Sequence, residues 1–159
     1  MLGIVAGHYD YDWKEAEHRF QLATRHEAMS PHLRSWHAPF MLQSTGRLTE
    51  ALVQSARVID EDPLCQMWHM MHANTLCALG RMEERVLAVR RALELDPDFW
   101  FGWAQSGLLA AVRGHHDEAL HCAEKAMAAA PWSPYAMGLM AAVMEKTVNR
   151  NPPPGCSTR

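Results

Sequence analysis

Apolar and small residues recur every three to four positions along most of this chain, which is the spacing of one face of an α-helix. The pattern is clearest in TEALVQSARVIDED (residues 49–62), CQMWHMMHANTLCALG (65–80) and WFGWAQSGLLAAVRG (100–114). Alternating apolar and polar positions with β-branched residues, which would indicate strands, are nearly absent from the sequence. The hydrophobic pattern therefore predicts an all-α protein.

A glycine and a proline separate the helical segments at a regular interval. The interval is 34 residues, and its markers are Gly46, Gly80 and Gly114 for the glycine and Pro63, Pro97 and Pro131 for the proline. We predict that each interval holds a hairpin of two helices. The glycine ends the first helix in the left-handed conformation, which glycine adopts most easily, and the proline closes the second helix.

A hairpin of this length, with W-x3-G in its first helix and a small residue and a proline in its second, resembles the tetratricopeptide (TPR) repeat. Unit 100–133 is the closest copy and matches the pattern at Trp103, Gly107, Gly114, Ala119, Ala126 and Pro131. The resemblance implies a right-handed α-solenoid of about three to four hairpins. Its expected parts are an array over 1–148, made of a partial hairpin 1–30, hairpins 32–65, 66–99 and 100–133 and a capping helix 134–148, and a disordered tail 149–159.

A looser resemblance involves YDWKEAEHRFQLA (11–23) and GRLTEAL (46–52). Both are similar to TPR arrays of bacterial regulators, where the array is joined to winged-helix, cyclase or kinase domains. Residues 1–9 leave room for only the last turns of a first helix, so we expect a segment of a longer array with an open solenoid end. An apolar open end of that kind favours a homo-oligomer or the docking of a neighbouring domain.

The composition and the motifs of the chain argue against several classes of function. The net charge of −3 gives no reason to expect nucleic acid or an anionic membrane as a partner. The four cysteines contain no CxxC pair, no apolar run is long enough to span a bilayer, and the N-terminus lacks the features of a signal peptide, so we expect a cytoplasmic protein. No Gly-rich phosphate loop, G-x-S-x-G or HExxH motif is present, which favours a non-enzyme without a cofactor.

The resemblance implies that the first helix of each hairpin lines a concave groove for a protein or peptide partner. The expected groove is apolar and rich in methionine, and only one of its positions is of the type that carboxylate-clamping TPR domains use. Its expected residues are Leu33, Trp36, Phe40, Gln43, Met67, Met70, Asn74, Cys77, Phe101, Ala104, Leu108, Ala111 and Tyr135. The function that follows is a protein-interaction scaffold, one module of a larger regulatory protein.

Residues 65–77 support an alternative function, because they combine two cysteines, two histidines and three methionines. Cys65, His69 and His72 fall on one helical stripe, and such a stripe can bind zinc or copper in a metal- or redox-responsive module. We favour packed polar histidines, since no fourth ligand is near in sequence and Arg85 is expected at the same level of the partner helix. We further expect Arg85 to extend its head group to solvent and Pro39 to kink its helix.

Overall fold

The computed structural model describes residues 2–24 and 31–150, and helices account for most of them. In those two ranges no strand occurs, which confirms the predicted all-α class, and no helix is both long and apolar enough to cross a membrane. The helices are α1 (Leu2–His8), α2 (Trp13–Thr24), α3 (Pro31–His37), a π-helix (Ala38–Gln43), α4 (Leu48–Glu61), α5 (Gln66–Ala78), α6 (Met82–Leu95), α7 (Trp100–Arg113), α8 (His116–Ala129) and α9 (Pro134–Arg150). The greater part of the predicted tail, residues 151–159, lies outside the described residues.

The chain forms two compact units, Met1–Leu95 and Asp96–Arg159. In the first unit α1 packs against α2, the α3–π segment against α4, and α5 against both α4 and α6. In the second unit α7 packs against α8, and α9 packs against both of them. Each unit is therefore built from consecutive helical hairpins, with α9 as an additional first-type helix.

The glycine that ends each first helix is left-handed, as predicted. The φ angles of Gly46, Gly80 and Gly114 are 78°, 74° and 81°. The three turns also share one hydrogen-bond pattern, in which the glycine N–H and the next N–H donate to carbonyls of the last helical turn. This arrangement is the Schellman motif, so the 34-residue repeat specifies the helix end as well as the helix.

Pro39 lies inside the first helix of its hairpin, and the helix continues through it as a π-helix instead of a straight α-helix. Proline has no N–H to donate, and its ring collides with the carbonyl four residues earlier in a regular α-helix. The wider π-turn removes that collision, and Ala38, Met41 and Leu42 around Pro39 remain buried. The helix is therefore locally distorted without being lost, as the sequence indicated.

The two helices of a hairpin touch through very small residues. A Cβ placed on Gly107 of α7 would lie 3.0 Å from the Cβ of Cys122 and 3.4 Å from the carbonyl of Ala119 on α8. The residue equivalent to Ala119 in the preceding hairpin is Arg85, which is only 3% exposed. The prediction that Arg85 reaches solvent is wrong, because its position faces the contact between the two helices and the side chain is enclosed there.

Candidate peptide-binding surfaces

In the first unit the expected groove residues lie on α3, the π-helix and α5. Trp36 and Met67 are 39% and 37% exposed, and Cys77 is also exposed. Leu33, Phe40, Gln43 and Asn74 are half-buried. Met70 has no exposed surface, so its side chain belongs to the interior and is left out of the proposed contact surface.

Aromatic rings connect three successive first helices of this unit. Phe40 lies between Trp36 and His8 of α1, with ring centroids 5.2 Å and 5.0 Å away. Trp36 donates its indole N–H to His32, which in turn contacts the ring of Trp68 on α5. The result is an aromatic strip across α1, α3, the π-helix and α5. Trp36 and Phe40 were expected from the sequence, but His8, His32 and Trp68 were not. The proximity of His8 and Trp68 depends on packing between hairpins, whereas His32 lies one turn before Trp36 on the same helix.

In the second unit a cleft of about 380 Å³ opens between α7 and α9. Its lining contains Leu108 and Tyr135, which are 43% and 41% exposed and were both expected in the groove. Phe101 meets the ring of Tyr135 edge-on at 6.0 Å, and Gln105 donates a hydrogen bond to the Tyr135 hydroxyl over 3.1 Å. Three of these four residues were expected on this surface, and the structure brings them together.

The other expected positions of this unit are less accessible. Ala111 is half-buried, and Ala104 has no exposed surface, so Ala104 is left out of the proposed contact surface. The cleft also has four lining residues that sequence analysis did not name: Pro134, Gly138, Leu139 and Ala142. A signal for two of them exists, since Gly138 and Ala142 lie one repeat interval after Ala104 and Leu108.

The chemistry of the cleft is apolar. Among the described residues its lining consists of aliphatic side chains, a glycine, a proline and one tyrosine, without a charged residue. A Cβ added to Gly138 would meet no atom within 4 Å, so the floor of the cleft is open at that point. Such a surface can take apolar side chains, while the Tyr135 hydroxyl offers one polar contact.

Comparison with known structures identifies the fold. The TPR protein TTC0263 of Thermus thermophilus has a TM-score of 0.76 at 20% identity, over 92% of this chain and 79% of that one. The Sgt2 TPR domain of Aspergillus fumigatus gives 0.66 at 16% identity over 81% and 87%. The first TPR domain of Spaghetti (RPAP3), bound to an HSP90 peptide, gives 0.64 at 14% over 74% and 93%. The chain has the TPR fold.

These matches come from comparing structures and not sequences. No protein-family model and no curated protein matches the sequence. The TPR fold is an all-α helical-repeat solenoid, so the fold class expected from the 34-residue period is confirmed.

The TPR pattern also explains His69, which takes the place of the usual tryptophan. In the next hairpin Trp103 keeps that place and donates its indole N–H to the carbonyl of Pro97 over 2.7 Å. His69 makes the same contact one repeat earlier, with its Nε2 2.9 Å from the carbonyl of Pro63. Because a carbonyl only accepts, Nε2 must carry the proton. His69 therefore reproduces the tryptophan hydrogen bond with a smaller ring.

His72 also has a structural partner. Its Nδ1 lies 2.8 Å from the hydroxyl of Ser55 on α4, so its ring contacts the preceding hairpin, whereas it was expected to face α6. Burial lowers the pKa of His72, and the neighbouring His69 and Arg81 lower it further. Within the described residues no three or more histidine, cysteine, aspartate or glutamate side chains are arranged to hold a metal ion. The geometry thus gives the metal alternative no support.

Proposed function

We propose that this chain is a protein-interaction scaffold that binds an amphipathic helix or an extended apolar peptide. The observation that carries the proposal is the uncharged cleft between α7 and α9, where Leu108 and Tyr135 expose apolar surface beside the open Gly138. Apolar anchors spaced along one face of a peptide would fill such a cleft, while its polar face remains in water. In the first unit the aromatic strip around Trp36 and Phe40 provides a second surface of the same character.

Peptide binding is known among TPR domains that share this fold. The first TPR domain of Spaghetti (RPAP3) was solved with the HSP90 peptide SRMEEVD, and the second TPR domain of human RPAP3 with the HSP70 peptide SGPTIEEVD. Both peptides end in acidic residues. Where the structure describes the lining of this cleft, it contains no lysine or arginine, which favours an apolar ligand over an acidic C-terminus. We further propose that the scaffold serves as one module of a larger regulatory protein.

The test uses three synthetic peptides in a fluorescence anisotropy titration of the full chain. The first peptide is an amphipathic helix with leucine at positions i, i+3, i+4 and i+7, the second has those leucines replaced by serine, and the third ends in EEVD. We expect saturable binding of the leucine peptide only. Leu108→Glu should weaken that binding by about tenfold or more, equivalent to about 1.4 kcal/mol, because a carboxylate would be buried against leucine.

Leu87→Glu is the matched control, because Leu87 is 59% exposed on α6 and belongs neither to the lining of the cleft nor to the aromatic strip. This variant should bind like the wild type. Equal weakening by both variants, or no binding of the leucine peptide, would reject the proposal. Preferential binding of the EEVD peptide would replace it with acidic-tail recognition.

A further inference from the structure

The outer face of α9 carries apolar residues that nothing covers within the described residues of its unit. Met137 and Met144 are 44% and 55% exposed, and Ala141 between them is also exposed. They lie at i, i+4 and i+7, so they form one stripe along the helix. The opposite face of α9, with Ala136, Leu139 and Val143, is buried against the rest of the unit.

The internal repeat shows what normally covers this face. One interval earlier, Met137, Ala141 and Met144 correspond to Trp103, Gly107 and Ala110 of α7. On α7 this face packs against α8: the ring of Trp103 meets His121 at 6.1 Å, and Gly107 lies against Cys122. Gly107 and Ala110 are buried there. The exposed stripe of α9 is therefore equivalent to a helix-docking face, and no second helix covers it within the described residues.

The residues that directly follow α9 do not match such a helix. The helices in the equivalent place, α4, α6 and α8, have 14 residues each. The sequence directly after α9 includes Pro152, Pro153 and Pro154, which would fall inside a helix of that length, and each of them lacks the N–H that a helix interior needs.

On α7 the equivalent face is covered by an amphipathic helix that has a small residue at the crossing point, Ala119 opposite Gly107. α9 itself has both features. Its stripe has a small residue, Ala141, flanked on each side by a methionine, so the pattern reads nearly the same in both directions. In an antiparallel pair, Met137 of one copy faces Met144 of the other across the two alanines, and methionine adapts to such contacts.

We propose that the outer face of α9 docks on the same face of α9 in a second copy of this chain, so that α9 of the second copy takes the place that α8 has on α7. This interface differs from the open end at α1 that the sequence indicated, and it does not involve the cleft between α7 and α9. A helix from a different protein would also cover the face, but only self-association predicts a dimer of the isolated chain.

Sedimentation velocity of the purified chain over a wide concentration range tests the pair. We expect a species of two 18.0 kDa chains that dissociates on dilution. Met144→Glu should convert it to monomer, because two carboxylates would enter an apolar contact. Val112→Glu is the control: Val112 is 77% exposed on α7, outside the stripe, and this variant should remain dimeric. Circular dichroism would check that both variants stay folded.

A cross-linking experiment gives an independent result if Met144→Glu fails to fold. In a background with Cys65, Cys77 and Cys156 replaced by serine, Ala141→Cys should form a disulfide-linked dimer with oxidised glutathione. Ala142→Cys, one residue along on the cleft side, should not. Four results would each overturn the proposal. They are a monomeric wild type, a Met144→Glu variant that stays dimeric, a Val112→Glu variant that dissociates, and equal cross-linking at both positions.

Discussion

At the residue scale, His69 shows how one side chain can be replaced by another that keeps only the essential hydrogen bond. Its Nε2 bonds the Pro63 carbonyl as the indole of Trp103 bonds that of Pro97. From sequence, His69 drew attention as a metal ligand, because a histidine beside cysteines and methionines has that chemistry. The backbone carbonyl that it bonds could not be identified without the turn geometry between the hairpins.

We predict that His69→Phe lowers the free energy of unfolding by about 1 kcal/mol, the net contribution of one intramolecular hydrogen bond. His69→Trp should cost less, since it restores the N–H and suits the repeat. Trp103→Phe should reproduce the loss in the second unit. Urea denaturation followed by circular dichroism measures all three, and equal losses for His69→Phe and His69→Trp would show that the hydrogen bond contributes nothing.

At the element scale, three glycines in the second unit have three different local environments. Gly114 has a φ of 81° and open space around its Cα, so only its backbone conformation requires glycine. Gly107 is helical, and an added Cβ would lie 2.9 Å from Leu139. Gly138 is helical with nothing within 4 Å. The sequence predicted the first role from the repeat, but the other two depend on which neighbours approach the helix.

We predict that Gly114→Ala lowers the free energy of unfolding by about 1–2 kcal/mol through left-handed strain. Gly107→Ala should also be destabilising, because Leu139 and Cys122 would have to move. Gly138→Ala should raise stability by about 0.5–1 kcal/mol, as alanine favours the helix and meets no neighbour. Thermal and urea denaturation provide the measurements, and a Gly138→Ala variant less stable than wild type would contradict this account.

At the scale of the whole molecule, the 34-residue period was enough to predict the fold, because each repeat marker specifies a helix end and each small residue a helix contact. The division between groove and interior was not predictable in full. Met70 and Ala104 have groove spacing yet no exposed surface, because burial depends on packing between helices, which the spacing along one helix does not reveal. The exposed stripe on α9 likewise became visible only once α7 showed what its equivalent face contacts.

The dependence of stability on pH is a property of the whole chain, and two half-buried histidines, His37 and His72, should control it. Burial is the main cause that lowers the pKa of both His37 and His72 from the ordinary value of 6.5. Glu17 and then Glu50 oppose this effect at His37 and Arg47 reinforces it, whereas at His72 only Glu84 opposes it. In both cases the folded protein holds the neutral ring at a pH where the unfolded chain is already protonated.

The sign of the pH dependence follows from that difference. As pH falls below 6.5, the unfolded state binds protons that the folded state does not, so the free energy of unfolding should fall until the lowered folded pKa values are passed. Each proton that only the unfolded state binds can change the free energy of unfolding by at most about 1.4 kcal/mol per pH unit. Urea denaturation between neutral pH and mild acid should show this loss in wild type and in His18→Gln, an exposed control. The double variant His37→Gln, His72→Gln should be flatter, and an unchanged slope would mean that other groups govern the acid response.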